Sequence, residues 1–364
     1  MTEAAPNRMP SGPVDNPGLW RGEDLVKHED WIVHLTPGMV AEIEQALAAI
    51  KARGLTPPDF GRDDFPLPGC KDVLAQYLEE LETGRGFMII RGLPVERYSI
   101  EDAEIIFWGL GAHLGTALSQ NSAGHLLGHV RNLDLDITNT NVRGYQTTVQ
   151  LAYHNDQSDV IALMCLRAAK SGGQSSLVSV PALHNAMVER CPDLLEELYK
   201  PFYIDRRGEF GREEEGDSPY YALPVLSYHR GLITARYIRG YIMSAQRFPE
   251  LPRLTEKQIA ALDTFDALAS SEGMALDFYM QPGDIQLVNN YCVFHSRTSF
   301  EDYPDLERRR HLLRLWLSTP NSRELPPSYK TRFGSCEPAA VRGGIPPRKA
   351  DVEVPAERFE LNRL

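Results

Sequence analysis

A segment rich in Thr, Val and aromatic residues, TTVQLAYHNDQSD at 147–159, and an apolar one, IQLVNNYCVFHSR at 285–297, each run into a histidine, and they lie far apart in the chain. Such composition belongs to β-strands. Residues two apart on a strand share a face, so Gln150, Ala152, His154 and Asp156 point the same way. If the two strand ends meet, His154, Asp156 and His295 form one group of two imidazoles and a carboxylate. That group occupies one face of an octahedral metal and leaves the other positions free, an arrangement suited to non-haem Fe(II) oxygen chemistry. The fold must therefore be one that carries distant strands to a common mouth.

The His-x-Asp spacing does not identify a site by itself. With 10 His and 50 acidic residues in 364, chance supplies about 1.4 matches (10 × 50/364) to His-x-Asp/Glu. Two occur, His154/Asp156 and His28/Asp30. The second pair sits in a polar stretch just before the helix signal Thr36-Pro37, outside any strand pattern, and reads as a surface His beside an Asp. Context selects the first pair.

Downstream, a Pro282-Gly283 turn opens an apolar strand ending near His295. A charged loop then leads to the strand HLLRLWLS at 311–318. If Arg310 begins this last strand, Arg310, Leu312 and Arg314 share a face. A guanidinium within an apolar strand is costly unless it meets an anion, and its planar fork matches a carboxylate. The competing reading is a structural salt bridge at the sheet edge.

The remaining elements follow from local signals. A helix is expected over about 37–53, capped by Thr36 with Pro37 in first position, and others over 71–83, 100–114 and 182–199. A capping box, Thr255 to Gln258, opens one more. Strands are expected at 86–93, 158–168, 174–180, 223–229 and 232–239. Short alternating strands with flanking helices fit a mainly β, α+β chain built on a double-stranded β-helix, the jelly-roll barrel of cupin-like proteins. One domain over 1–364 is expected, with a loose segment at 1–30 and a Pro- and Arg-rich wrapping tail at 320–364. The polar stretch 135–145, just before the first histidine strand, reads equally as a lid over bound substrate or as a connecting loop. By composition, 210–221 is a solvated loop.

Composition narrows the partners. A net charge of −12 and a pI near 5.4 leave no basic stripe for phosphates of a nucleic acid. No apolar run approaches membrane-spanning length, and the first residues lack the regions of a secretory signal. Five scattered cysteines (70, 165, 191, 292 and 336), without a CxxC pair, argue against a disulfide framework and for the cytoplasm. A dimer or higher assembly stays open.

Over roughly residues 85–318 the chain resembles the Fe(II)/2-oxoglutarate-dependent dioxygenases of the TauD/TfdA, clavaminate synthase-like group. The resemblance rests on GFMIIRGLP at 86–94, HND at 154–156, GGQSSLVS at 172–179, QPGDIQLVNN at 281–290 and HSRTSFED with RRRHLLRLWLS between 295 and 318. It implies that His154, Asp156 and His295 hold iron and that Arg310 binds the far carboxylate of 2-oxoglutarate, with Arg309 the neighbouring alternative. It implies a hydroxyl contact to the same carboxylate after the Gly-Gly turn, from Ser175 or, one position on, Ser176. Arg314 and Gln150 would face the primary substrate, a small acidic molecule such as an amino acid, carboxylate or sulfonate. The reaction implied is decarboxylation of 2-oxoglutarate to succinate and CO2 with O2, coupled to oxidation of a C–H bond. In halogenating relatives a small residue replaces the carboxylate ligand. Asp156 therefore favours hydroxylation, with desaturation or cyclisation open on the same iron. A cupin-like metal-binding sensor would keep the triad but need no dicarboxylate clamp.

Overall fold

The computed structural model describes residues 8–138, 142–209 and 218–347. Residues 139–141 of the polar stretch 135–145, residues 210–217 of the solvated loop, and parts of both terminal segments lie outside the described residues.

Two sheets face each other. The larger runs in the order Ile32–His34, Phe87–Arg91, Ile285–Asn289, Val160–Arg167, His311–Ser318 and Thr116–Ala117, with Leu127–Val130 also paired to His311–Ser318. Its first pair is parallel and the rest are antiparallel. The smaller sheet is antiparallel throughout, in the order Ala275–Phe278, Ser175–Ser179, Val293–Arg297 and Leu151–His154. This is the jelly-roll arrangement, with mixed α and β structure around it, and the two sheets do not join into one closed barrel among the described residues.

The period-2 alternation of the last long strand assigns its side chains to two different cores. Leu313, Leu315 and Leu317 turn outward with Met88, Ile90, Ala162 and Leu287, under the helices Pro37–Ala52, Lys71–Thr83 and Ile100–Leu114. Leu312 and Trp316 turn inward, where they meet Phe87, Ile161 and Leu177 between the sheets. The even positions Arg310 and Arg314 go with the inward set and line the interior cavity.

Local helix signals hold. Thr36 Oγ1 accepts the Met39 N–H at 3.3 Å, and Thr255 and Gln258 exchange reciprocal bonds at 3.1 and 3.0 Å to open Glu256–Ala269.

Four expectations are corrected. The helix expected over 182–199 is two, Val180–Arg190 and Pro192–Leu198, because Pro192 has no N–H to continue the ladder and restarts at a first turn. The strand expected over 223–229 is split between Tyr220–Pro224 and Leu226–His229, and the strand over 232–239 stops at Ala235. Finally, the single strand leading to His295 is two strands in different sheets, Ile285–Asn289 and Val293–Arg297. The switch occurs at Asn289-Asn290, whose side chains take over backbone bonding that the ladder gives up. Asn289 Oδ1 accepts Tyr291 N–H at 2.9 Å, and Asn290 Oδ1 accepts Asp156 N–H at 3.0 Å.

The chain after 318 packs back against Ser119, Gln157 and Asp159. Arg342 Nε donates to buried Asp159 at 2.9 Å, and Gly344 and Ile345 donate their N–H groups to Gln157 O and Ser119 O at 2.7 and 2.8 Å. Among the described residues no helix is long and apolar enough to cross a membrane.

Candidate active site

His154 closes the strand Leu151–His154, and His295 lies directly opposite it in the antiparallel register. Cross-strand partners on one face stand close together, and the two imidazole rings are 4.3 Å apart between centroids. Asp156, in the loop just past the strand, completes the group: one ligand atom from each residue lies within 4.8 Å of the others. The decoy pair goes elsewhere, since Asp30 forms a surface ion pair with Arg85 at 3.0 Å.

Asn155 lies between His154 and Asp156, and its amide is not singled out by any spacing in the sequence. It is fully buried. Its Nδ2 donates to Ala235 O (2.7 Å) and Asn290 O (2.6 Å), while its Oδ1 accepts Tyr237 N–H (2.8 Å). Asn155 thus pins the turn that swings Asp156 back toward the histidines.

Protonation suits metal binding. His154 Nδ1 faces Ala152 O at 2.8 Å, which sets the tautomer and leaves Nε2 available to a metal. Burial, with His154 alongside, depresses the His295 imidazole to about 3, so it is neutral at ordinary pH. Its buried Nδ1 has no hydrogen-bond partner among the described residues, and Nε2 stands 3.9 Å from Asp156 Oδ2. Burial alone would raise the Asp156 carboxyl. Arg314, the two histidines and the Trp316 N–H (2.9 Å to Oδ2) outweigh it and hold the group below its ordinary value. Two neutral imidazoles and an ionised carboxylate are the donor set a divalent iron requires, so the residues fit the metal.

Arg310 immediately precedes its strand, with only 6% of its surface exposed and with Nη1 unpartnered among the described residues. Arg309 points away and pairs with Asp134 at 2.6 Å. A second guanidinium, missed in the sequence, stands beside Arg310. Arg297 is 5% exposed, has an unpartnered Nη1, and shares the Phe300 ring with Arg310 (4.6 and 5.3 Å to the centroid). Burial and the charge of Arg310 depress Arg297 to about 9, with Asp302 offsetting this only in part. Its position two residues beyond His295 on the same strand was the available signal. Two buried, under-neutralised cations call for an anion.

Ser175 faces Arg297 across the register and lines the cavity, whereas Ser176 Oγ is engaged by the Tyr153 hydroxyl at 2.6 Å. The preceding Gly172 and Gly173 both have positive φ, and a Cβ on Gly172 would come within 2.3 Å of Ser299 O. Arg314 stacks on Tyr145 at 4.5 Å and donates to Gln120 Oε1 at 2.6 Å. Gln150 is exposed and lies at the cavity wall, as do Ile137 and Tyr145 of the polar stretch 135–145. The cavity that joins all these groups measures about 590 Å³.

Comparison with known proteins agrees. The family described as taurine catabolism dioxygenase TauD, TfdA family matches residues 51–316. FR-33289 synthase of Streptomyces rubellomurinus is 34% identical over 337 residues, covering 90% of this chain and 97% of the synthase. Among solved structures, asparagine oxygenase in complex with Fe(II), 2S,3S-3-hydroxyasparagine and succinate superposes with a TM-score of 0.62 at 18% identity, over 79% of this chain and 94% of that one. The non-heme iron oxygenase OrfP in complex with Fe and alpha-ketoglutaric acid gives 0.58 at 16% identity, over 79% and 93%. The chain belongs to the TauD/TfdA family and is a non-haem iron, 2-oxoglutarate-dependent dioxygenase.

Proposed function

We propose that His154, Asp156 and His295 hold Fe(II), that Arg310, Arg297 and Ser175 bind the far carboxylate of 2-oxoglutarate, and that the enzyme hydroxylates a small acidic molecule in the cytoplasm. The observation that carries this reading is the pair of buried guanidiniums, each with an unpartnered nitrogen, in the same cavity as the ligand triad. A metal-binding sensor would need the triad alone. With 2-oxoglutarate and O2, the iron supplies oxidative decarboxylation to succinate and CO2 and the oxidising equivalent that cleaves a C–H bond. The protein supplies orientation, charge and exclusion of water. Free thiols at all five cysteines suit a reducing compartment.

The test is succinate release with Fe(II), ascorbate and 2-oxoglutarate across a panel of small acids. No succinate with any of them, uncoupled turnover included, refutes the reading.

Arg314 and Gln150 face the primary substrate. Arg314→Gln raises the substrate KM roughly 10- to 100-fold, the worth of a hydrogen bond to a charged group, and leaves the KM for 2-oxoglutarate in place. Equal substrate affinity in the variant removes Arg314 as the anchor. The Trp316 N–H orients Asp156, so Trp316→Phe weakens Fe(II) binding roughly tenfold in an anaerobic titration. An unchanged titration curve overturns that supporting role.

A further inference from the structure

The cavity wall away from Arg310 carries more cation than its carboxylates neutralise. Asp205 is taken by Arg247 Nε and Ser244 Oγ (3.0 and 2.9 Å), Glu209 by Arg143 Nη2 (3.0 Å), and Arg239 has Asp263 (2.6 Å). Two lining arginines, Arg236 and Arg332, have no carboxylate partner among the described residues.

Arg236 is 4% exposed and rigidly placed. Its Nη1 donates to the carbonyl of Asn155 at 2.6 Å, beside the metal ligands, and its Nε donates to the Tyr221 hydroxyl at 3.1 Å. Its Nη2 has no protein partner among the described residues. Arg332 comes from the short helix Lys330–Phe333 in the C-terminal segment. Its guanidinium lies 5.3 Å from the Tyr221 ring centroid, and its buried Nε has no hydrogen-bond partner among the described residues. Burial, together with the charges of Arg206 and Arg236, depresses Arg332 to about 10, with Tyr221 opposing the shift. Two guanidiniums therefore flank one phenol in the reaction cavity, Arg236 and Tyr221 from neighbouring segments and Arg332 from the C-terminal part of the chain. A pair of fixed cations without a counter-ion costs stability unless a ligand supplies one. Neutralising both takes two charges on one group. Two guanidinium forks and a hydroxyl offer donors in several directions, which suits a tetrahedral oxyanion better than a single planar carboxylate.

We propose that Arg236, Arg332 and Tyr221 form a second anion subsite, which takes a doubly charged, phosphoryl-type group of the primary substrate. This deepens the function proposed above and rests on it for the chemistry, because the group held here presents a neighbouring C–H bond to the triad.

Calorimetric titration with inorganic phosphate and, in parallel, acetate tests it. Each titration is run on the full chain without iron and again, anaerobically, with Fe(II) and saturating 2-oxoglutarate occupying the Arg310 site. The expected result is phosphate binding in both states, tighter than acetate. Binding should weaken at least about tenfold, or 1.4 kcal/mol, in Arg332→Gln and in Arg236→Lys, with 2-oxoglutarate affinity kept. Arg332→Lys, which keeps charge and bulk but loses the fork, falls between wild type and Arg332→Gln. Melting curves verify that each variant is folded. Phosphate binding equal to wild type in the folded Arg332 variants, preference for acetate, or no phosphate binding in either state overturns the subsite. Failure of wild type to bind 2-oxoglutarate counts against the dioxygenase assignment instead, and the iron-free phosphate titration still decides the subsite.

Discussion

His295→Ala abolishes stoichiometric Fe(II) binding and, with it, all succinate release. The side chain supplies one of three donors gathered within 4.8 Å, and nothing else titratable in the described group takes its place. Two remaining ligands bind iron far more weakly, because the third closes the facial set that the fold prepares. The expected loss in affinity exceeds that for any supporting residue, which costs 10- to 100-fold. The fold itself should persist. His295 is neutral, its Nδ1 has no partner to lose, and its strand is held on both sides by Ser175–Ser179 and Leu151–His154. Anaerobic Fe(II) titration with metal analysis, set beside a melting curve, reads both halves. A full-strength site in the folded variant would refute the ligand set.

Arg310→Met produces two changes of opposite sign. The 2-oxoglutarate concentration needed for half-saturation rises by about 30-fold or more, since removing one partner of a desolvated, hydrogen-bonded charge pair costs about 2–5 kcal/mol. At the same time the protein without co-substrate gains roughly 1–3 kcal/mol, because a buried guanidinium with an orphaned nitrogen is replaced by an apolar chain of similar length. A structural ion pair at the sheet edge predicts the reverse for stability. Iron binding stays, as Arg310 is not among the ligand group. Titration with 2-oxoglutarate and a melt of the apo-protein separate the two readings. An unchanged co-substrate requirement would sink the role assigned to Arg310.

Local order was largely legible. Caps at Thr36 and Thr255 begin helices where expected, since a capping side chain satisfies orphan N–H groups within its own turn. The inward set Arg310, Leu312, Arg314 and Trp316 follows from a two-residue period. Choices between neighbours were not legible. Ser175 and Ser176, or Arg309 and Arg310, are chemically alike, and only the register of the sheet decides which one enters the cavity. The signal for Arg297, its place two residues beyond His295, was ambiguous for a related reason: a charged residue there reads equally as the polar end of a strand until its burial beside Arg310 is known.

The sequence by itself determined the chemistry available to this protein: two histidines and an aspartate at strand spacing, and arginines set within an apolar strand. It determined too that helices and short strands alternate around them. The tertiary structure alone decided which of these groups share a cavity. Pairing His154 with His295, sending Asp30 to Arg85, and leaving Arg236 and Arg332 beside Tyr221 without a carboxylate among the described residues are outcomes of long-range strand register and chain crossing. Such contacts join residues far apart in the chain, and no local pattern of side chains encodes which distant neighbour will neutralise a buried charge.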